Sequence, residues 1–204
     1  MNEWIQSHWL EVVGTLFALI YLYLSVRENI WLWVTGFISS FLYLVVFYRG
    51  QLYADMGLQV YYLVISVYGW MVWKWGRKES GRPKMPISRI GAKTGVKVVI
   101  AGLLVYLIIL WALIKLPAIF EVPESDLPFW DAFTTAGGVI GTWMLARKMI
   151  EHWLVWIVVD LVSSGMYLYK GLEVTVGLYL VYTAVAVIGF REWMRKMKHR
   201  DQAV

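Results

Sequence analysis

Residues 98–114 read VVIAGLLVYLIILWALI, seventeen in a row without a charge. An α-helix rises 1.5 Å per residue, so a run of this length approaches the thickness of a hydrocarbon core of about 30 Å. Similar apolar runs recur on both sides of it. They predict seven spans, at 10–26, 30–48, 54–73, 97–116, 131–147, 152–169 and 173–191. Arg27-Glu28-Asn29, Arg49-Gly50-Gln51 and Lys170-Gly171 interrupt them, as do two longer breaks, 74–97 and the segment after Lys115. Proline, glycine and charge at such points end helices. All five prolines are assigned to connections between spans.

Composition agrees. Hydrophobic residues make up 60% of the chain and charged ones only 16%, with a mean hydropathy of +0.59. Ordinary soluble domains carry about 25% charged residues, so this chain could not cover a soluble surface. Residues 1–11 lack the basic start of a cleavable signal peptide. There are no cysteines, which excludes disulfides, thiolate catalysis and cysteine metal sites. The three histidines, His8, His152 and His199, stand at span ends or in the tail, away from any carboxylate at metal spacing. No phosphate loop and no nucleophile–base pair is present, so the expectation is no enzyme and no cofactor.

The net charge of +5 is sorted rather than spread. Of 19 Lys and Arg, 16 fall in segment 74–97, the tail after Phe190, the 147–148 turn and Arg27. Only Arg49, Lys115 and Lys170 lie on the opposite side, with the acidic loop of Glu121, Glu124, Asp126 and Asp131. Lys and Arg accumulate in cytoplasmic loops, which predicts an N-terminus outside and a C-terminus inside. Nucleic-acid binding is not needed to explain the basic charge. Trp4, Trp9, Trp31, Trp73, Trp75, Trp130, Trp153 and Trp193 sit near span ends and read as interfacial anchors.

The third and seventh spans match at an offset of 120: Gly57 with Gly177, Leu58 with Leu178, Tyr62 with Tyr182, Gly69 with Gly189, and Trp73 with Trp193. Tyr48-Arg49-Gly50 and Tyr169-Lys170-Gly171 precede them. The expected fold is therefore all-α and integral to the membrane, with two three-helix repeats joined by a linker helix (3+1+3). Equivalent helices lie four crossings apart, so the repeats run parallel and a substrate site is expected near the midplane between them. The expected division is 1–75, 76–130 and 131–204.

Asp160 stands at the middle of the sixth span. A carboxylate there costs about 2.5–3.5 kcal/mol on insertion scales, so it faces either a polar cavity or a hydrogen-bonding partner on a neighbouring helix. Trp153, Trp156, Asp160, Ser163, Ser164 and Tyr167 recur at spacings of three and four and form one stripe, opposite Val155, Val158, Val159 and Val162. The third span has a related stripe of Asp55, Gln59, Tyr62, Ser66, Gly69 and Trp73, and the seventh has Thr175, Tyr179, Tyr182, Ala186, Gly189 and Trp193. Asp55 reads equally as a helix cap, and Gln59 as substrate contact or interhelical hydrogen bond. Gly137 and Gly141 form a small-xxx-small pattern typical of close helix packing.

Two stretches resemble the nicotinamide riboside transporter family, PnuC. One is Leu52-Tyr53-Ala54-Asp55-Met56-Gly57-Leu58-Gln59 leading into Tyr68-Gly69-Trp70-Met71-Val72-Trp73; the other is Trp156-Ile157-Val158-Val159-Asp160 with Tyr167-Leu168-Tyr169-Lys170-Gly171. The resemblance implies a SWEET-like 3+1+3 fold, a homotrimer and a multi-pass protein of the bacterial inner membrane. It also implies facilitated diffusion of an unphosphorylated vitamin precursor, trapped by intracellular phosphorylation. Carried onto this sequence, the substrate-binding residues are Gln59, Tyr62, Trp156, Asp160, Ser163, Ser164 and Tyr179. Trp156 would stack on the pyridinium ring and Gln59 would read the carboxamide. Asp160 would bond the ribose hydroxyls or balance the charge. The alternatives are a same-fold transporter of thiamine or riboflavin, or a sugar transporter of the SWEET type. Against the latter stands the assignment of every proline to a connection.

Overall fold

A computed structural model describes the backbone of residues 2–49, 53–76, 85–121 and 123–202, and their side chains except at 2–8, 11, 53–55, 120 and 201. These residues form seven helices: α1 (Asn2–Val26), α2 (Leu32–Arg49), α3 (Tyr53–Trp75), α4 (Ala92–Phe120), α5 (Pro128–Ala146), α6 (His152–Tyr169) and α7 (Glu173–Gln202). Every predicted span lies on one of them except for its ends at residues 30, 31 and 147, which are turn. Four helices are long and apolar enough to cross a membrane on length and composition: α2, α3, α4 and α7. In α1 the apolar part is Val12–Val26. α6 matches α2 in length but carries His152, Asp160, Ser163 and Ser164.

The helices group into two compact units, Met1–Pro86 and Ile87–Val204. In the first, α1 packs on α2 and α2 on α3. Polar groups tie the first pair: Ser39 Oγ donates to the Gly14 carbonyl at 2.9 Å, and the Thr15 and Tyr43 hydroxyls meet at 2.7 Å. Glycine lets the third helix close in. A Cβ at Gly69 would stand 2.4 Å from the Trp33 indole, which is itself fully buried and meets Trp73 edge-on at 5.7 Å.

In the second unit α4 packs on α5, α5 on α6, and α6 on α7. α5 and α6 approach through the predicted glycine pair. A Cβ at Gly137 would lie 2.4 Å from Val159 Cγ2, and one at Gly141 would lie 3.3 Å from Trp156 Nε1. α4 exposes Val99, Leu103, Ile108 and Trp111, as suits a lipid-facing helix. The end of the basic segment is pinned to this unit. Ser88 pairs with the α5–α6 turn, Ile90 N donates to Glu151 Oε2 at 3.1 Å, and Arg200 Nη2 donates to the Ile87 carbonyl at 3.0 Å. The latter bond uses a residue beyond the predicted seventh span, because α7 continues as helix to Gln202.

The structure changes two expectations. Pro117 is inside α4 and Pro128 is the first residue of α5, so prolines are not confined to connections; Pro83 lies outside the described residues. Pro117 is tolerated because it sits in the last turn, where Glu121 adopts φ 52° and its N–H returns to the Pro117 carbonyl. Nor are all the tryptophans near span ends interfacial. Trp9, Trp31, Trp75 and Trp130 are exposed as anchors should be, but Trp73, Trp153 and Trp193 are buried against neighbouring helices. Trp73 packs edge-on against Trp33 and Trp193 against Trp153, and the Trp33 and Trp153 indoles fill space left by Gly69 and Gly189. The side chains of Trp4, His8 and Asp55 lie outside the described residues.

Candidate substrate site

The 120-residue offset extends well beyond the third and seventh spans. Glu28 and Lys148 both take left-handed backbone, at φ 58° and 51°. One residue on, Asn29 N returns to the Leu24 carbonyl at 2.9 Å and Met149 N to the Met144 carbonyl at 3.0 Å, the same six-residue closure of a helix end. Trp33 meets Trp73 at 5.7 Å and 88°, and Trp153 meets Trp193 at 5.9 Å and 88°. A Cβ at Gly189 would stand 2.5 Å from Trp153, as one at Gly69 would from Trp33. Each unit therefore has the same framework of turn, tryptophan pair and glycine.

On that framework α6 carries the polar stripe. Asp160 is 5% exposed, and Ser163 and Ser164 are also buried. Trp156, one turn earlier, is half-buried. Ser164 Oγ donates to the Asp160 carbonyl at 2.8 Å, so its proton is committed within the helix. Among the described residues no such bond is found for Ser163. Among the described residues, no hydrogen bond reaches the Asp160 carboxylate. From α7, Tyr179 stacks on Tyr167 of α6 at 5.1 Å and 26° and meets Tyr182 edge-on at 5.7 Å. Trp153 leaves the predicted stripe. It is 2% exposed, packed between His152 and Trp193, and belongs to the framework.

Gln59 and Tyr62 are in the first unit, both half-buried on α3. The Tyr62 carbonyl accepts the buried Ser66 hydroxyl at 2.7 Å, and the Tyr61 and Tyr62 rings meet at 5.5 Å. Tyr21 of α1, which the sequence reading passed over, lies within electrostatic reach of both phenols and against Gly36. The signal for it was available at the same offset, since position 21 answers 141 and position 36 answers 156. No cluster of metal-ligating side chains occurs among the described residues.

Within the second unit, the aromatic and hydroxyl groups of α6 and α7 beside the Asp160 carboxylate suit a flat, hydrogen-bonding small molecule. Comparison with known proteins bears on the family. The model of a family described as nicotinamide mononucleotide transporter matches residues 8–195. The nicotinamide riboside transporter PnuC of Escherichia coli is 26% identical, over 94% of this chain and 87% of its own. The riboflavin/roseoflavin transporter RibM of Streptomyces davaonensis is 27% identical, over 96% and 89%. A crystal structure of the vitamin B3 transporter PnuC superposes with a TM-score of 0.68 at 20% identity, covering 94% of this chain and 83% of that one. It has the same fold. The family match spans nearly the whole chain and all seven helices, and on that ground this multi-pass membrane protein belongs to the nicotinamide mononucleotide transporter family.

Proposed function

We propose that the chain imports nicotinamide riboside by facilitated diffusion, with phosphorylation inside the cell trapping the product. The observation that carries this reading is the Asp160 carboxylate, buried at the middle of α6 with no hydrogen-bond partner among the described residues. A carboxylate kept only for helix packing would be bonded to a neighbouring hydroxyl, since an unpaired polar group in an apolar setting is costly. Asp160 is instead free for a ligand. Nicotinamide riboside offers both a pyridinium cation and ribose hydroxyls, and Trp156 one turn away offers a π-face for the ring.

The same residue argues against the phosphorylated form. A mononucleotide brings a phosphate of about −1.5 to −2 charges at neutral pH, and no Lys or Arg stands near the middle of any span to receive it. In the full assignment Gln59 reads the carboxamide and Tyr62, Ser163 and Tyr179 complete the contacts, with Ser164 a lesser one whose proton stays on the Asp160 carbonyl. All seven helices cross the inner membrane, as two parallel three-helix repeats joined by α4, with the N-terminus outside and the chain assembled as a homotrimer. The lack of a relay of intramembrane ionisable groups favours passive transport over proton coupling.

Riboflavin is the second reading, favoured by one observation: the riboflavin/roseoflavin transporter is as similar to this chain as the riboside transporter is. Calorimetry on the purified protein separates them. Micromolar or tighter binding of the riboside, with none of the mononucleotide, supports the first reading. Heat with riboflavin or thiamine but none with the riboside overturns it.

A further inference from the structure

Positions 21 and 36 of the first unit answer positions 141 and 156 of the second, and at these four positions aromatic and glycine have changed places. In the second unit the Trp156 indole of α6 rests on Gly141 of α5. In the first, the ring belongs to α1 and the glycine to α2. A Cβ at Gly36 would meet Tyr21 Cδ2 at 2.9 Å and Ser66 Oγ at 3.5 Å. Elsewhere the framework is copied without exchange, as Trp33–Gly69 and Trp153–Gly189 show. The exchange keeps one ring on one glycine at the same place between the first two helices of each repeat, while moving the helix that carries it.

We propose that Tyr21 is a further substrate-contacting residue, the first unit's counterpart of Trp156, presenting a π-face to a flat cationic heterocycle. This deepens the functional reading above and rests on it. The surroundings of Tyr21 fit the role. It lies within electrostatic reach of Tyr62, and Gln59 stands one helical turn before Tyr62 on α3. Tyr21 is only half-buried, so its ring is not consumed by packing as those of Trp33 and Trp153 are. Gly36 acts as its positioning residue: with no side chain there, the Cδ2–Cε2 edge of the ring comes close to α2.

The test uses the full-length purified protein, with nicotinamide riboside as the probe in calorimetry and the melting temperature of the unliganded protein as the control for folding. Tyr21→Leu keeps bulk over Gly36 but removes the π-face; Tyr21→Phe keeps the ring and removes the hydroxyl. The expected result is a loss of about tenfold in affinity for the leucine variant, the size of one desolvated cation–π contact, and less than about twofold for the phenylalanine variant. Unaltered affinity in Tyr21→Leu overturns the proposal, and so does an equal loss in both variants. Should the leucine variant not fold, 3-fluorotyrosine at position 21 gives a second readout. Its fluorine resonance moves on riboside addition if the ring is a contact, and an unmoved resonance overturns the role. Wild-type protein that binds no riboside at all overturns the functional reading itself, an outcome distinct from the other three.

Discussion

The indole of Trp153 fills the space that a side chain at position 189 would need: a Cβ built on Gly189 comes within 2.5 Å of Trp153 Cη2. Ring and backbone are thereby locked. Trp153 is buried on one side by Trp193, edge-on at 5.9 Å, and on another by His152 at 4.5 Å. The indole has nowhere to retreat. Gly189→Ala is therefore expected to cost about 1–3 kcal/mol, the usual range for an overpacked core. Gly69→Ala should cost a similar amount through Trp33, whereas Gly177→Ala, where an added Cβ meets nothing within 4 Å, should be neutral. Thermal unfolding of the three purified variants decides it, and equal melting temperatures would remove the locking argument.

Asp160→Asn should pull stability and function in opposite directions. The carboxylate is buried with no hydrogen bond among the described residues, at a depth where charge is disfavoured by about 2.5–3.5 kcal/mol. A neutral amide of nearly the same shape relieves part of that cost, so the unliganded variant should melt higher than the wild type. If Asp160 balances a cationic substrate, the same change should weaken riboside binding at least about tenfold, a loss of about 1.4 kcal/mol. A variant that melts lower and still binds as tightly would mean that Asp160 is a packing group.

Ser163 and Ser164 are adjacent and both buried, yet their substitutions should differ. The Ser164 proton is already given to the Asp160 carbonyl, a local bond that substrate would have to break. Ser164→Ala should therefore change riboside affinity by less than about 0.5 kcal/mol, and Ser163→Ala by more than the roughly 1 kcal/mol of an ordinary hydrogen bond. Calorimetry on the pair checks the ranking, and the reverse order would reassign the contact.

The helices were legible because membrane spans need only length and apolarity, and runs such as 98–114 supply both. The glycine pair at 137 and 141 was legible because small residues at that spacing have one common use. The roles of the tryptophans were not. Trp75 and Trp73 both stand at a helix end, but one is 65% exposed and the other 6%. What separates them is the ring on a neighbouring helix, since Trp73 packs edge-on against Trp33 of α2, a tertiary fact that no one-dimensional pattern records. Pro117 was misplaced for a related reason: a proline in the last turn of a long helix resembles one just beyond it. Tyr21 was missed because the polar residue on its stripe, Ser25, stands one turn on at the end of α1, and its neighbours at 36 and 62 lie on other helices. Stripe residues on one helix were easy to group; residues meeting across helices were not.

Gly137 and Gly141 lie one helical turn apart on α5 and look interchangeable in sequence, but, beside a shared neighbour in Val155, each has its nearest contact with a different residue of α6. A Cβ at 137 would lie 2.4 Å from Val159 Cγ2, a buried aliphatic contact. One at 141 would lie 3.3 Å from Trp156 Nε1 and 3.4 Å from Cε2. The first is a clash with a short, stiff side chain. The second requires only a few tenths of an ångström, which a half-buried indole can yield by tilting. Gly137→Ala should accordingly lower the melting temperature by an amount corresponding to about 1–3 kcal/mol while leaving riboside affinity unchanged. Gly141→Ala should do the opposite: near-wild-type melting, but about three- to tenfold weaker binding, or about 0.6–1.4 kcal/mol, because the ring that stacks on the substrate has turned. Tryptophan fluorescence gives an independent check, since the ligand-dependent quenching should change in the 141 variant and not in the 137 variant. If both substitutions lower stability and affinity together, the two glycines serve packing alone and Trp156 is not positioned by α5.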